Sequence, residues 1–261
     1  MSSIMSLIRR VPIAIAIARY TRRLRNLLSK KGISSESVTI DHFLEKLILS
    51  KQVKTVIQVG ANDGIQNDPI RRFLKDPKPF KTILIEPIPY YVNKLRELYV
   101  NRSDVSIVHA AAGSSEGVRE LFFIPPELAD EMNGDGPQNY WAHGQGSFDR
   151  NIVIHWIREN RFRVKRYVDR MNHYIESITS AKVNVLPTAS LLGRDSSGLL
   201  LIIDVQGFEL DVLDGINWNN PPEWVIIEDD LGSSFDCIAY FSRRGFNWVG
   251  GDHDKIFSRT E

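Results

Sequence analysis

The sequence predicts an α/β fold, a mostly parallel sheet wound with helices. Three observations carry this. An apolar, β-branched run, Thr55-Val56-Ile57-Gln58-Val59, breaks into the turn Gly60-Ala61-Asn62-Asp63-Gly64. A buried strand that ends in a glycine turn brings backbone close to a nucleotide-like ligand. About twenty residues later a second such run, Lys81 to Ile85, ends in Glu86-Pro87, where an acid reaches the hydroxyls of a ribose. Strand-sized and helix-sized segments then alternate, as they do in a parallel sheet.

The elements come in order. Residues 39–51 place Ile40, Phe43, Leu44, Leu47 and Ile48 at helical spacing, with Asp41 near the start. Strand 55–59 comes next, and Asp68-Pro69 opens a short helix, Asp as cap and Pro in the first turn. Strand 81–85, a helix from Pro89 to Val100 and strand 105–110 complete a β-α-β-α-β unit. Val118 to Ile124 reads as a further strand, stopped by Pro125-Pro126. A glycine-rich loop (Gly134, Gly136, Gly144, Gly146) precedes a helical stretch from Asn151 to Ile175. The sheet is expected to resume with Val183 to Leu186. Leu199-Leu200-Leu201-Ile202-Ile203 is the most hydrophobic run and reads as a central strand ending at Asp204. A helix from Phe208 to Leu213 closes at Gly215. Strand 224–227 ends at Glu228-Asp229-Asp230, a helix spans about 234–244, and a hairpin pairs 246–249 with 255–258 around Gly250-Gly251. This organisation predicts a basic N-terminal helical segment over 1–50 and one domain over 51–261. The segment 125–182 is inserted over its open edge.

A chain of 261 residues, 43% hydrophobic and 25% charged, buries a sizeable core. The net charge of +1 hides an asymmetry: residues 1–31 hold eight basic residues and no acid, leaving 25 basic against 32 acidic residues elsewhere. The globular part is not broadly basic, which argues against nucleic acid as a partner. The lone cysteine, Cys237, excludes a disulfide framework and suits a reducing cytoplasm; it reads as a buried structural thiol. The run Val11 to Ala18 is too short to span a bilayer. With the arginines after it, this run reads either as a basic amphipathic helix on the inner face of a membrane or as an ordinary basic helix.

The turn discriminates between cofactors. A dinucleotide fingerprint needs Gly-x-Gly-x-x-Gly, so that helix N–H groups meet a pyrophosphate. Here the pattern is Gly60-x-Asn62-x-Gly64, with Ile65 at the last glycine position; Asn62 accepts the left-handed conformation that glycine usually supplies. The tighter turn suits a cofactor without a pyrophosphate, S-adenosylmethionine, whose sulfonium favours nearby carboxylates.

These segments resemble the FkbM family of S-adenosylmethionine-dependent methyltransferases. The likeness rests on Val59 to Gly64, Ile85-Glu86-Pro87, Ala111-Ala112-Gly113, Ile203-Asp204-Val205-Gln206-Gly207-Phe208-Glu209, Val212 to Gly215 and a late strand ending in Glu228, in order over residues 53–230. The resemblance implies a class I methyltransferase (Rossmann-like) fold, a seven-stranded sheet with its last strand antiparallel, and O-methylation, commonly of a sugar hydroxyl on a glycan or glycosylated natural product. Gln58, Gly60, Asn62, Asp63, Gly64, Glu86, Pro87 and Ala111 are then the cofactor residues. Asp63 reads equally as a cap for the next helix. Two positions depart from the pattern: many members carry an acid at Gln58 and a lysine at Ile202. Two competing functions are an NAD-dependent oxidoreductase, which the spacing at Gly64-Ile65 disfavours, and a methyltransferase fold without catalysis that binds at a membrane glycan assembly.

Methyl transfer needs an aligned nucleophile, a dry site and a proton acceptor. Asp204 and His143 are the leading candidates for the base, ahead of His109, His155 and His253. Asp204, Glu228 and Asp229, at the ends of neighbouring strands, are candidate Mg²⁺ ligands; otherwise Asp204 and Glu209 fix the loop before a helix. Arg150, Arg158, Arg161, Arg163, Lys165, Arg166 and Arg170 form either a grip for an anionic sugar or a solvated helix face. Tyr140, Trp141 and Trp156 stack on a sugar or belong to the core.

Overall fold

The computed structural model describes residues 38–133, 141–159, 170–229, 235–251 and 253–260. The basic segment 1–31 and Tyr140 lie outside the described residues, as do Arg161, Arg163, Lys165, Arg166 and Asp230. Among the described residues no helix is long and apolar enough to cross a membrane.

The main sheet has seven strands: β1 (Thr55–Val59), β2 (Lys81–Glu86), β3 (Val105–His109), β8 (Leu199–Ile203), β9 (Trp224–Glu228), β10 (Phe246–Gly250) and β11 (Asp254–Arg259). Their order is β10-β11-β9-β8-β1-β2-β3. β3, β2, β1, β8 and β9 run parallel; β11 is antiparallel to both its neighbours, as the resemblance implied. Every residue of β8 is buried, as a central strand covered on both faces requires.

Alternation along each strand divides the core. Ile57, Val59, Leu201 and Ile203 face one cluster, closed by α6 (Thr188–Leu192), α7 (Glu209–Asp214) and α8 (Cys237–Ser242). Cys237 is buried there and the apolar surroundings push its thiol up to about 12, so it is an inert core thiol. Val56, Leu84, Leu200, Ile202 and Ile226 face the other cluster, closed by α1 (Ile40–Leu49) and α2 (Pro89–Leu98). α1 begins at Thr39, whose hydroxyl accepts the His42 N–H at 3.3 Å; Asp41 sits in the first turn, where an anion complements the helix dipole. Asp68 caps as expected, accepting the N–H groups of Ile70 and Arg71, but only one 3₁₀ turn, Arg71–Phe73, comes after it.

Two expectations are corrected. Val183 to Leu186 does not rejoin the main sheet. It belongs to β7 (Thr179–Pro187), in a second sheet of order β4-β7-β5-β6 with β4 (Ala111–Gly113), β5 (Gly117–Phe123) and β6 (Gly146–Ser147). Only Val183 and Val185 of β7 are buried, between exposed Lys182 and Asn184: this is a strand with one covered face. Nor is 151–175 one straight helix. α4 (Arg150–Glu159) and α5 (Met171–Glu176) share a core with α3 (Pro126–Asn133), and Arg150 Nη2 donates to the Ile175 carbonyl at 2.8 Å. A straight helix would hold those residues ~38 Å apart.

One row of side chains crosses the sheet in register: Leu84, Gln58, Ile202, Ile226 and Ile256. Gln58 is its single polar member. The two positions that depart from the family pattern, Gln58 and Ile202, are therefore cross-strand partners.

Candidate functional site

The parallel strands deliver their carboxyl ends to one edge, the place where open α/β sheets hold ligands. Gly60, just past β1, has φ +83°; a Cβ there would stand 1.7 Å from the Asp204 carbonyl oxygen. The Asp204 N–H donates to the Val59 carbonyl at 3.0 Å, so the ends of β1 and β8 are locked together.

Glu86 ends β2 and is 4% exposed. Its Oε2 accepts the Asn62 N–H and its Oε1 the Ile88 N–H, both at 2.8 Å. It thus ties the loop after β1 to the loop after β2. Burial outweighs these hydrogen bonds and raises its carboxyl to about 7. The folded chain therefore keeps a proton that the unfolded chain has released. The Glu86 contribution to the stability of the ligand-free protein is expected to be full below about pH 4.5 and to be lost as pH rises through about 7. Asp68, raised to about 6 by desolvation, acts with the same sign in its own lower window. Thermal melts across this interval check the slope; a flat profile, or an equal slope in Glu86→Ala, would remove Glu86 as its source.

Two cavities, of about 540 and 640 Å³, meet across Gly60, Glu86, Gly144, Asp204 and Gln206 to form one cleft. One end is apolar, with Ile85, Ile88, Ala111, Leu121, Phe148 and Phe208; Pro87 also lines it. Arg119 fixes its aromatic wall: the guanidinium lies 4.0 Å from the Phe148 ring and 4.9 Å from the Phe208 ring, and pairs with Asp211 at 3.1 Å. The other end is polar, and four acceptor atoms lining it have no protein partner: Gln58 Oε1, Asn62 Oδ1, Asp68 Oδ2 and Gln145 Oε1. Buried acceptors without partners are costly and call for a ligand rich in donors.

Asp63 and Gly64 are not on the cleft wall. Asp63 Oδ1 accepts the N–H groups of Ile65 and Gln66 and so closes a turn, with no helix after it to cap, and Gly64 packs against Leu95, which a Cβ would meet at 2.7 Å. His143 lines the polar end but is 7% exposed, with both ring nitrogens engaged. The Gly144 N–H donates to the Tyr91 oxygen at 2.9 Å, the Tyr91 hydroxyl to His143 Nδ1 at 3.1 Å, and His143 Nε2 to Asp130 at 2.9 Å. This network sets the tautomer. His143 holds the Gly144 loop over the cleft. His109 sits against the Pro87 carbonyl, at 3.1 Å.

Asp204 is exposed at the cleft. Its Oδ1 accepts from Gln206 Nε2 at 2.7 Å, and the same amide donates to Glu228 Oε2 at 2.9 Å. Gln206 is a site residue that its sequence context did not single out. It has φ +55°, a conformation rare outside glycine that marks functional loops, and the Gln206-Gly207 dipeptide was the available signal. The Mg²⁺ reading is corrected here. An amide stands between Asp204 and Glu228, and Asp229 pairs with Lys255 at 3.6 Å. Among the described residues no group of three or more His, Cys, Asp or Glu is placed to hold a metal. Glu209 does fix the loop before α7, accepting from the N–H groups of Gly207 and Val205. Among the basic residues of the insertion, Arg150 is spent on a backbone carbonyl and Arg170 on Glu131. Trp141 lines the polar end, while Trp156 packs in the α3–α5 core.

A family model described as the methyltransferase FkbM domain matches residues 58–256, which includes every candidate site residue named above. A structure of methyltransferase FkbM from Methylobacillus flagellatus KT is similar at 10% identity and a TM-score of 0.42; the match covers 97% of this chain and 60% of that one. A precorrin-6y C5,15-methyltransferase from Geobacter metallireducens GS-15 is similar at 11% identity and a TM-score of 0.36, over 83% of this chain and 86% of that one. At these scores neither structure carries an argument about substrate. No curated protein matches the chain.

Proposed function

The chain belongs to the FkbM methyltransferase family, and from that premise we propose that it transfers a methyl group from S-adenosylmethionine to a hydroxyl oxygen of a sugar. The observation that carries the reading is the two-ended cleft around Glu86. Its apolar end, between Ile88, Ala111 and Phe148, suits a purine ring. Each Glu86 oxygen accepts one backbone N–H and retains a lone pair for a ribose hydroxyl. The unpartnered acceptors Asn62 and Gln145 suit the ammonium end of an amino acid. When bound, the cofactor supplies an electrophilic methyl group carried on a sulfonium cation.

Asp204 is the base in this reading. Gln206 engages its Oδ1, which orients the carboxylate and leaves Oδ2 to take the proton of the acceptor hydroxyl. The phenyl rings of Phe148 and Phe208 help exclude water. Contact of the basic segment 1–31 with an anionic membrane is part of the proposal and rests on its charge alone.

Calorimetric titration with S-adenosylmethionine and, separately, with NAD tests the reading. The methyl donor is expected to bind and NAD to give no heat above dilution. Absence of heat with S-adenosylmethionine, or comparable binding of NAD, removes the proposal.

A further inference from the structure

We propose that the acceptor is held in a second cavity, on the α1 face of the sheet, and that the group it presents there is uncharged and rich in hydroxyls. The proposal rests on the methyl-transfer reading for its meaning, but the cavity stands on its own geometry. It opens between the start of α1 and the carboxyl ends of β1, β8 and β9. Its floor is the cross-strand row Gln58, Ile202 and Ile226; Thr39, Asp41, His253 and Asp254 lie around it.

The second cavity adjoins the cofactor cleft. Gln58, Asn67 and Asp204 line both, so a group seated on the α1 face reaches the carboxylate assigned as the base. The glycine-rich insertion at 125–182, which the sequence suggested as the cover of the acceptor, contributes no described residue to this lining.

The lining selects the ligand. Among the described residues around this cavity none is lysine or arginine, while Asp41, Asp204 and Asp254 are present. A phosphate or carboxylate would meet Asp204 and Asp254 and no lysine or arginine of the lining; the third acid, Asp41, is paired with Arg72 at 3.4 Å. Hydroxyl donors meet acceptors, and the flat apolar strip of Ile202 and Ile226 suits the C–H face of a sugar ring. Gln58 is the second, independent sign. It is 3% exposed, lies in an otherwise apolar row, and its Oε1 has no partner. A ligand hydroxyl supplies the missing donor.

The test uses the full chain and a mixture of methyl glycosides of hexoses and deoxyhexoses, with the matching hexose 6-phosphates as the charged arm. Saturation-transfer NMR reads binding with and without S-adenosylmethionine. The glycosides are expected to show transfer and the phosphates none. His253→Trp, at an exposed wall position, is expected to weaken the glycoside signal about tenfold while cofactor affinity, measured by calorimetry, stays within about twofold. Gln58→Leu is expected to lower the glycoside signal yet raise the melting temperature, because it removes a buried atom with no partner; a merely structural role moves stability the other way. No glycoside signal in the wild type, an unchanged signal in both variants, or preference for the phosphates overturns the proposal. Failure of S-adenosylmethionine to bind removes the donor reading instead, because the glycoside measurement without cofactor still reports on the cavity.

Discussion

Glu86→Ala is expected to weaken binding of S-adenosylmethionine about a hundredfold or more and to destabilise the fold. The carboxylate accepts two backbone N–H groups at 2.8 Å, and alanine leaves both donors unpaired in a buried place. Each buried donor left without a partner costs ~1–3 kcal/mol, so the loss of the loop tie alone is ~3 kcal/mol. Loss of the ribose contacts adds a similar amount to binding, about a hundredfold or more in affinity. Glu86→Gln is the informative companion. Its amide oxygen keeps one N–H bond, while its amide nitrogen faces the other N–H, so the fold recovers partly and the cofactor site does not. Calorimetry and thermal melting read the two effects separately. Equal affinity in wild type and Glu86→Ala would take the ribose assignment away.

Asp204→Asn is expected to lower kcat by about 10²–10⁴-fold, the usual contribution of a positioned general base, with cofactor affinity changed only a few-fold. The substitution keeps an oxygen to accept from Gln206 and keeps side-chain volume; it removes the ability to take a proton. S-adenosylhomocysteine release in the presence of a bound glycoside measures it. A rate within about threefold of wild type would leave Asp204 as a binding residue and pass the proton to another group.

The legible parts of this protein are those in which a single stretch of chain holds the whole signal. The end of β1 is apolar run, glycine, asparagine, glycine; the end of β2 is apolar run, acid, proline. Both were readable because a parallel strand must stop where its ligand begins. The central place of β8 was readable from five apolar residues in succession. The features that escaped were settled by residues distant in sequence. Val183 to Leu186 has the apolar content of a strand, but nothing local says which sheet it joins; its pairing with Gly117–Phe123 decides that. His143 is a plausible base by type, and its engagement by Tyr91 and Asp130 is invisible until the fold brings three segments together. The carboxylates Asp204 and Glu228 do stand at neighbouring strand ends, but the donor between them is an amide whose backbone turns left-handed to reach them.

The cross-strand pairing of Gln58 with Ile202 also ties the energetics of the two positions together. The resemblance implies an acid at one of these places and a lysine at the other in many members; here both side chains are uncharged. Reverting either alone buries a charge opposite a neutral neighbour, and an uncompensated buried charge costs ~3–5 kcal/mol, a large share of the stability of an ordinary domain. The two positions are therefore expected to couple: a double substitution that introduces an acid at 58 and a lysine at 202 costs less than the sum of the two single ones.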